Sequence, residues 1–387
     1  MGFTVWPGKG QPLDRLPSNL DTIRHHASPS EIVAITLQLS ASEFLTESAN
    51  RPIIDVRAPV EFTEGHIPGA VNIPLLDDSQ REIVGKLYRE QGRAAATQRG
   101  LQFVRQRLPH LKQQVETITR DHATGPDDLL VHCWRGGMRS QSFAWLLEQF
   151  GHPTRVLEGG YKAYRRHVLN GFQKPLQLVV LSGLTGAGKT HQLKCLRDLG
   201  EQVIDLEGLA NHRGSAFGGI GLPPQPTVQQ FQNEMAQLID SFDSRRRIWL
   251  EDESQKIGRV VIDDRFVEQI RQAPAIFIDV SQTVRAQNLA LEYGPLSVDA
   301  LRLSTQKIGR RFGSENVDKA IAALDRGDLQ ACATVLLEYY DKTYRVSQAR
   351  QNRPQSYHLA TESPLASTFT SELIRAADEK RWLHPTS

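Results

Sequence analysis

The stretch Gly183-Leu184-Thr185-Gly186-Ala187-Gly188-Lys189-Thr190 fits the pattern G-x-x-x-x-G-K-[ST] and lies between the apolar run LQLVVLS and the helically spaced HQLKCLRDLG. That context restricts the fold. A buried strand that feeds a glycine turn into a helix needs a parallel neighbour reached by a crossover, so this part of the chain is expected to be α/β. In such a turn the glycines let the backbone close around phosphate oxygens and the helix N-terminus supplies aligned N–H dipoles. Lys189 adds positive charge, and Thr190 can ligate magnesium. A plain glycine turn is the bland alternative, and the flanking strand and helix argue against it. The pattern implies a di- or triphosphate-like anion and leaves open whether a nucleotide binds.

Further apolar strands are expected at EQVIDLE, RRIWLED and APAIFIDV. Each ends in an acid, Asp205, Asp252 and Asp279, and a carboxylate at the C-terminal end of a strand beside the phosphate loop could hold magnesium directly or through water. Asp252 is favoured, with Asp205 next; the competing reading is that each acid only caps the following helix. The segment DLEGLANHRGSAFGGIG, with His212 and Arg213, is a candidate substrate loop or else an ordinary connection. After Ser281 the chain reads as mostly helical, with a DRGD turn between two helices.

A second loop, VHCWRGGMRSQS, follows the short apolar run LLVHC and precedes a stretch of helical spacing. Cys133 therefore sits at a strand-to-helix turn, where loop and helix N–H groups converge and an anion is favoured. Trp134, Arg135, Gly136, Gly137, Met138, Arg139 and Ser140 complete this loop, and the two arginines further favour a thiolate nucleophile. Packing is the alternative for any free cysteine. It suits Cys195 and Cys332, which lie in amphipathic helical stretches, better than Cys133 among glycines and arginines. Between the strands of this half, Leu101, Val104, Leu108, Leu111, Val115 and Ile118 follow three-four spacing, so a helix bent at Pro109 is expected to cover a sheet.

With 387 residues the chain is long enough for two cores. Composition places a flexible extension at 1–30, one α/β domain at 31–173 and a second at 174–387, divided at the polar GFQKPLQ. Three cysteines without regular spacing argue against a disulfide framework and for a reducing compartment. The start of the chain carries neither an apolar signal core nor an arginine-rich amphipathic pattern, and no apolar run is long enough to span a bilayer, so a cytoplasmic protein without membrane contact is expected. A net charge of +2 excludes a polyelectrolyte while allowing local basic patches.

Taken together, Asp55-Val56-Arg57, EFTEGHIPGAVNIP, HCWRGGMRSQS and LEGGYKAYRR resemble a rhodanese domain. The resemblance implies a loop cysteine that carries a transferable chalcogen, with Arg57 and the acidic residue of the EF pair supporting the loop. The C-x5-R spacing from Cys133 to Arg139 is longer than in common single-sulfur rhodaneses and also resembles phosphatases of that fold. A rhodanese domain joined to a P-loop NTPase-like parallel-sheet domain carrying GLTGAGKT, DLEGLANHRGSAFG and WLEDESQKIGR resembles tRNA 2-selenouridine synthases, over about Pro52 to Arg311.

That resemblance implies a transferase that geranylates the sulfur of wobble 2-thiouridine in tRNA with geranyl diphosphate and then replaces it with selenium from selenophosphate. The selenophosphate synthetase is an implied partner. In this scheme the phosphate loop holds the diphosphate, with magnesium at Thr190, and Cys133 carries selenium. An anticodon arm needs basic and aromatic contacts. Candidates are Arg165-Arg166, Arg245 to Arg247 and Arg310-Arg311, with Trp134, Tyr161 and Tyr164 as stacking platforms. Two other classes remain: a phosphatase or ATP-dependent kinase using the same two loops, and a non-catalytic RNA-binding adaptor.

Overall fold

The computed structural model describes residues 37–121, 128–348, 353 and 355–382; the expected extension at 1–30 lies outside the described residues. The chain divides into two compact units. Of the described residues, one takes those up to Ala58 together with those of Val71–Tyr161, and the other takes Pro59–Ala70 with those from Lys162 on.

In the first unit, β1 (Leu37–Leu39), β2 (Ile53–Asp55), β3 (Val71–Asn72), β4 (Leu129–His132) and β5 (Thr154–Leu157) form one sheet in the order β1-β5-β4-β2-β3. Every pairing in it is parallel. Parallel strands are covered on both faces, which is why β2 and β4 are buried at every residue and read as short apolar runs, ending in the buried Asp55 and His132. Leu111, Val115 and Ile118 from the helix Asp78–Asp121, and Phe143 and Leu147 from the helix Met138–Gln149, pack on Ile54, Leu129 and Val131. The long helix differs from expectation in one respect. It carries Pro109 inside it and loses helical dihedrals instead at Gly92, with φ 85° and ψ −176°, a conformation open to glycine at little cost. Leu101, 61% exposed, also falls off the expected apolar face.

In the second unit, β6 (Leu178–Ser182), β7 (Gln202–Ile204), β8 (Ile248–Glu251), the antiparallel pair β9 (Lys256–Ile257) and β10 (Val260–Val261), β11 (Ala275–Asp279) and β12 (Ser356–Ala360) follow in sequence. The main sheet runs β12-β11-β6-β8-β7, all parallel. The chain leaves the central strand β6 toward β7 on one edge and later returns to β11 on its other side. A ligand is therefore expected at the carboxyl end of β6, at this switch point. Leu193 and Leu196 from the helix Lys189–Asp198 and Phe369 and Leu373 from the helix Ser367–Glu379 close a core over Val179, Leu181, Trp249, Ile276 and Ile278.

The expected helical region is present as Gln282–Tyr293, Val298–Lys307, Gly309–Phe312, Ser314–Asp325 and Leu329–Gln348, with the DRGD turn passing through Gly327 at φ 73°. Its own core joins Leu289, Leu301, Ala320, Leu324, Leu336 and Leu337. Strand β12 interrupts the helical reading: Ser356–Ala360 pairs residue for residue with Ala275–Asp279 as the sheet edge. Among the described residues no helix is long and apolar enough to cross a membrane.

Candidate functional site

Cys133 follows the last residue of β4 and is 3% exposed, with its Sγ 3.2 Å from Ser140 Oγ. Ser140 Oγ also lies 3.1 Å from the Gly137 carbonyl, so its single proton can serve either neighbour. Gly137 stands at the N-cap of Met138–Gln149 and offers no side-chain cap. The first amides of this helix therefore keep their donors for the loop centre. Two glycines make the turn sterically feasible. Gly160 has φ 60°, and a Cβ on it would meet Cys133 O at 2.4 Å and Gly136 N at 2.4 Å. Gly136 has φ 64°, with Leu157 O and Gly159 N each 2.8 Å from where its Cβ would stand. Tyr161 N donates to Cys133 O at 2.8 Å, tying the cysteine backbone to the start of the next helix.

Beneath the loop lies a fully buried ion pair. Arg57 Nη2 is 2.6 Å from Asp55 Oδ2, both side chains are 0% exposed, and Nε donates to the same carboxylate at 2.9 Å. His132 Nε2 approaches Asp55 Oδ2 to 3.6 Å. Burial pushes the Asp55 carboxyl up, but the charge of His132 and the hydrogen bonds from Arg57 outweigh it and hold the group below its ordinary value. The guanidinium also sits 3.8 Å from the centroid of the Tyr161 ring. These contacts decide the fate of the expected stacking platforms. Tyr161 and Tyr164 are 0% and 2% exposed, so neither ring can receive a nucleobase, and Tyr161 instead braces Arg57. Trp134 is half-buried, with its ring 5.7 Å from that of Tyr161. Arg135 and Met138 are exposed, and Arg139 is half-buried.

The phosphate loop connects β6 to Lys189–Asp198 as expected, with φ 150° at Gly183 and 81° at both Gly186 and Gly188. Around it, Asn288 Nδ2 donates to Gly186 O at 2.8 Å and Arg285 Nη1 donates to Thr185 O at 3.2 Å. Arg285 is itself held by Asp341 at 2.8 Å. A Cβ on Gly186 would stand 2.6 Å from Arg285 O, so a glycine is required where the loop meets that helix. Ala187 is buried behind the loop. Lys189 Nζ donates to Gly183 O at 2.9 Å, which places the ammonium inside the curve of the loop.

Beside Lys189 stands a group of carboxylates that the sequence reading did not assemble. Thr190 Oγ1 donates to Glu207 Oε2 at 3.1 Å, and Glu207 N donates to Glu251 Oε1 at 2.8 Å. Glu251 is 1% exposed and its other oxygen, Oε2, has no hydrogen-bond partner. Burial, with the Glu253 carboxylate as neighbour, pushes Glu207 up to about 8. Burial likewise raises Glu251 well above the usual carboxylate range, and it raises Glu253 and Glu292 against the pull of Lys189. The segment with His212 and Arg213 borders this group. Arg213 Nε meets Glu292 at 3.0 Å, and a Cβ on Gly214 would lie 2.9 Å from Glu207 Oε1 and 3.0 Å from Glu253 Oε1. His212 is lowered by burial and then by Arg213.

Of the acids favoured from sequence, Asp252 stands at the entrance of the phosphate loop, beside Ser182, and is engaged by other side chains. Asp252 Oδ1 accepts from Arg353 Nη2, and its Oδ2 accepts from Ser182 Oγ at 2.8 Å. Asp205 caps the helix Leu206–Leu209 through Gly208 N at 2.7 Å, and Asp279 is exposed at the end of β11. The sequence signal for the carboxylates near Thr190 was the run Glu251-Asp252-Glu253 at the end of β8. Successive side chains of an extended chain alternate in direction, so the two glutamates share a side and Asp252 faces the other.

The expected basic clusters are largely engaged. Arg165 donates to Asn233 Oδ1 at 2.5 Å and to Gln232. Arg247 is 5% exposed and paired with Glu201 and Asp378, Arg245 is paired with Asp243, and Arg246 donates to Gly200 O at 2.6 Å. Arg166 and Arg310 are exposed, and the Arg311 side chain lies outside the described residues.

Comparison with known proteins bears on both sites. The family model for the tRNA 2-selenouridine synthase AAA domain matches residues 176–363, and that for a rhodanese-like domain matches 40–167. A tRNA 2-selenouridine synthase of Bdellovibrio bacteriovorus is 40% identical over 252 residues, 63% of this chain; the match spans 65% of that relative, a little under two thirds of its length. The protein of the same name from Shewanella denitrificans is 33% identical over 337 residues, 78% of this chain and 90% of its own. Among solved structures, a rhodanese-related protein from Thermoplasma volcanium aligns with a TM-score of 0.21 at 20% identity, over 34% of this chain and 92% of that one.

Proposed function

Since the chain belongs to the tRNA 2-selenouridine synthase family, we propose that it acts on the wobble 2-thiouridine of tRNA in two steps, one at each loop. In the first, the thiocarbonyl sulfur attacks C1 of geranyl diphosphate, the C–O bond breaks, and diphosphate leaves. In the second, selenium displaces the geranylated sulfur from C2 of the base. Thiocarbonyl sulfur is a poor leaving group, and alkylation turns it into a thioether on an electron-poor carbon. One observation carries this reading above the others: a single chain holds two anion-accepting turns, one bearing the Cys133 thiol and the other the Lys189 ammonium.

At the phosphate loop, the backbone amides and Lys189 bind the diphosphate and stabilise the charge that grows on it as it departs. The hard oxygens of Thr190 and Glu207, with the partnerless Oε2 of Glu251 behind them, fit a magnesium ion. Bound there, it would neutralise diphosphate oxygens. Such an ion would be held through one or two protein oxygens, phosphate and water.

At the other loop, the Cys133 thiolate attacks the phosphorus of selenophosphate; an S–P bond forms, the Se–P bond breaks, and hydrogen selenide anion is released beside the base. The selenide then attacks C2 of the geranylated base, the C–Se bond forms as the C–S bond breaks, and geranyl thiolate leaves. Water hydrolyses the S–P bond, freeing phosphate and restoring the thiolate. Ser140 and the helix amides hold the anionic chalcogen at each stage.

Two variants separate the steps. Lys189→Ala is expected to slow formation of S-geranyl-2-thiouridine by roughly 10²–10³, the loss typical of removing one charge-stabilising donor. Cys133→Ala is expected to leave the geranylated nucleoside and abolish the selenonucleoside, read by mass analysis of digested tRNA. Normal selenouridine from the alanine variant would refute the role given to Cys133. Rapid turnover of a chromogenic phosphate ester without tRNA would favour a phosphatase instead.

A further inference from the structure

One uninterrupted run of positive charge in the chain is used by neither loop. Between Glu90 and Glu116 the sequence carries Arg93, Arg99, Arg105, Arg107 and Lys112 and no carboxylate. This run occupies most of the helix Asp78–Asp121 after its break at Gly92.

Helical geometry sorts these residues. Leu111, Val115 and Ile118 form the face that packs on the sheet. At about 100° per residue, Gln102 lies opposite Leu111, and Arg99 and Arg105 flank it about 60° to either side. Arg99, Gln102 and Arg105 are all exposed. Arg99 Nη1 donates to Gln102 Oε1 at 2.9 Å, and its guanidinium lies 4.4 Å from the centroid of the Phe103 ring, so its head is held in place over the surface. Neither Arg99 nor Arg105 forms an ion pair with a carboxylate of the described residues, whereas Lys112 meets Glu116 at 3.8 Å.

The helix starts beside the cysteine loop. At the helix break, Arg93 Nη2 lies 3.2 Å from the sulfur of Met138, the first residue of the helix that follows Cys133 and its loop. Guanidinium groups without a carboxylate partner, one of them lying over the half-buried Phe103 ring, suit a phosphate backbone, because charge supplies the affinity. A basic helix whose first turn touches the helix that follows Cys133 would bring a polyanion close to that loop.

Building on the reading that tRNA is the substrate, we infer that the exposed face of this helix, centred on Arg99, Gln102 and Arg105, is the docking surface for the phosphate backbone of the tRNA anticodon arm.

The test uses the full chain and an anticodon stem-loop RNA containing 2-thiouridine, with binding followed by fluorescence anisotropy over a series of salt concentrations. Arg99→Gln with Arg105→Gln keeps good helix formers at both positions, and circular dichroism checks that helix content is unchanged. The double variant is expected to lose roughly tenfold or more in affinity at about 0.1 M salt. Its slope of log affinity against log salt should fall by about 2, one for each phosphate contact removed. Arg375→Gln, at an exposed arginine near Glu379, should leave the slope unchanged. Wild-type binding with the same affinity and slope in the double variant would overturn this inference and leave the proposed function standing. Failure of the wild type to bind the thiolated RNA would overturn both.

Discussion

The hydroxyl of Thr190, in the phosphate loop, donates to Glu207 Oε2 at 3.1 Å, although Glu207 belongs to the short helix Leu206–Leu209 that follows the edge strand β7, two strands away from β6 in the sheet. This contact joins the anion-binding turn to a set of carboxylates, and under the proposed function Glu207 rather than Asp252 would share a cation with Thr190. Asp252 is occupied by Arg353 and Ser182. Several measurable consequences follow from these placements.

The pH dependence of stability should carry the mark of Glu207. Burial and Glu253 raise this carboxyl from 4.5 to about 8. Below about 4.5 it is protonated in both folded and unfolded chains and imposes no penalty. As pH rises toward 8 the unfolded chain releases the proton while the folded one keeps it, so stability falls, on the order of a few kcal/mol when the interval is complete. Thermal unfolding in chelator at pH 5 to 8 should therefore show the wild type losing stability faster than Glu207→Gln. Parallel curves would contradict the assignment. Magnesium with diphosphate should reduce the difference.

Exchanging the two acids distinguishes their roles. Glu207→Gln should weaken magnesium-dependent diphosphate binding, measured by calorimetry. Asp252→Asn should instead lower stability, by roughly 3 kcal/mol, because it leaves the 9% exposed Arg353 side chain without its counter-charge. A large loss of diphosphate affinity from the Asp252 variant alone would reverse this assignment.

Gly160→Ala should disable the cysteine loop without touching its chemical groups. The added methyl would stand 2.4 Å from Cys133 O at φ 60°, so the backbone of the loop must shift. The left-handed conformation alone costs about 1–2 kcal/mol for a residue with a Cβ. Selenium transfer should fall steeply while formation of the geranylated nucleoside persists; unchanged selenium transfer would show that the turn tolerates displacement.

Arg57→Ala removes the cation that Asp55 faces in a site with no exposed surface on either side chain. Loss of one member of such a pair costs about 3–5 kcal/mol. Arg57→Lys should recover only part of this, since an ammonium cannot make the forked contact to Asp55 or lie flat on Tyr161. Chemical denaturation would measure both, and equal stability of all three proteins would contradict the bracing role.

What the sequence disclosed and what it withheld follow from the range of the interactions. Both loops were legible because each is a contiguous run whose strand, glycines and helix start lie within a few residues. The strands β6, β7, β8 and β11 were legible as short apolar runs, since parallel strands are buried on both faces. The edge strand β12 was not, because its alternating exposure and position after a long helix left only a short, half-buried segment to recognise. The fates of Tyr161 and Arg247 depended on partners remote in sequence. Tyr161 is buried against Arg57, and Arg247 is neutralised by Glu201 and Asp378. Glu207 lacked a local motif for the same reason, although the alternation of Glu251 and Glu253 pointed to the side on which it would be found.

The central claim is that the two loops serve successive steps on one nucleobase, and a staged incubation tests it most directly. Purified protein is given tRNA containing wobble 2-thiouridine, first with geranyl diphosphate and magnesium, then with selenophosphate and a thiol, and the nucleosides are weighed by mass spectrometry at each stage. The expected result is S-geranyl-2-thiouridine after the first addition and 2-selenouridine in its place after the second. Thiouridine left unchanged through both additions, or selenium incorporated without passage through the geranylated species, would contradict it.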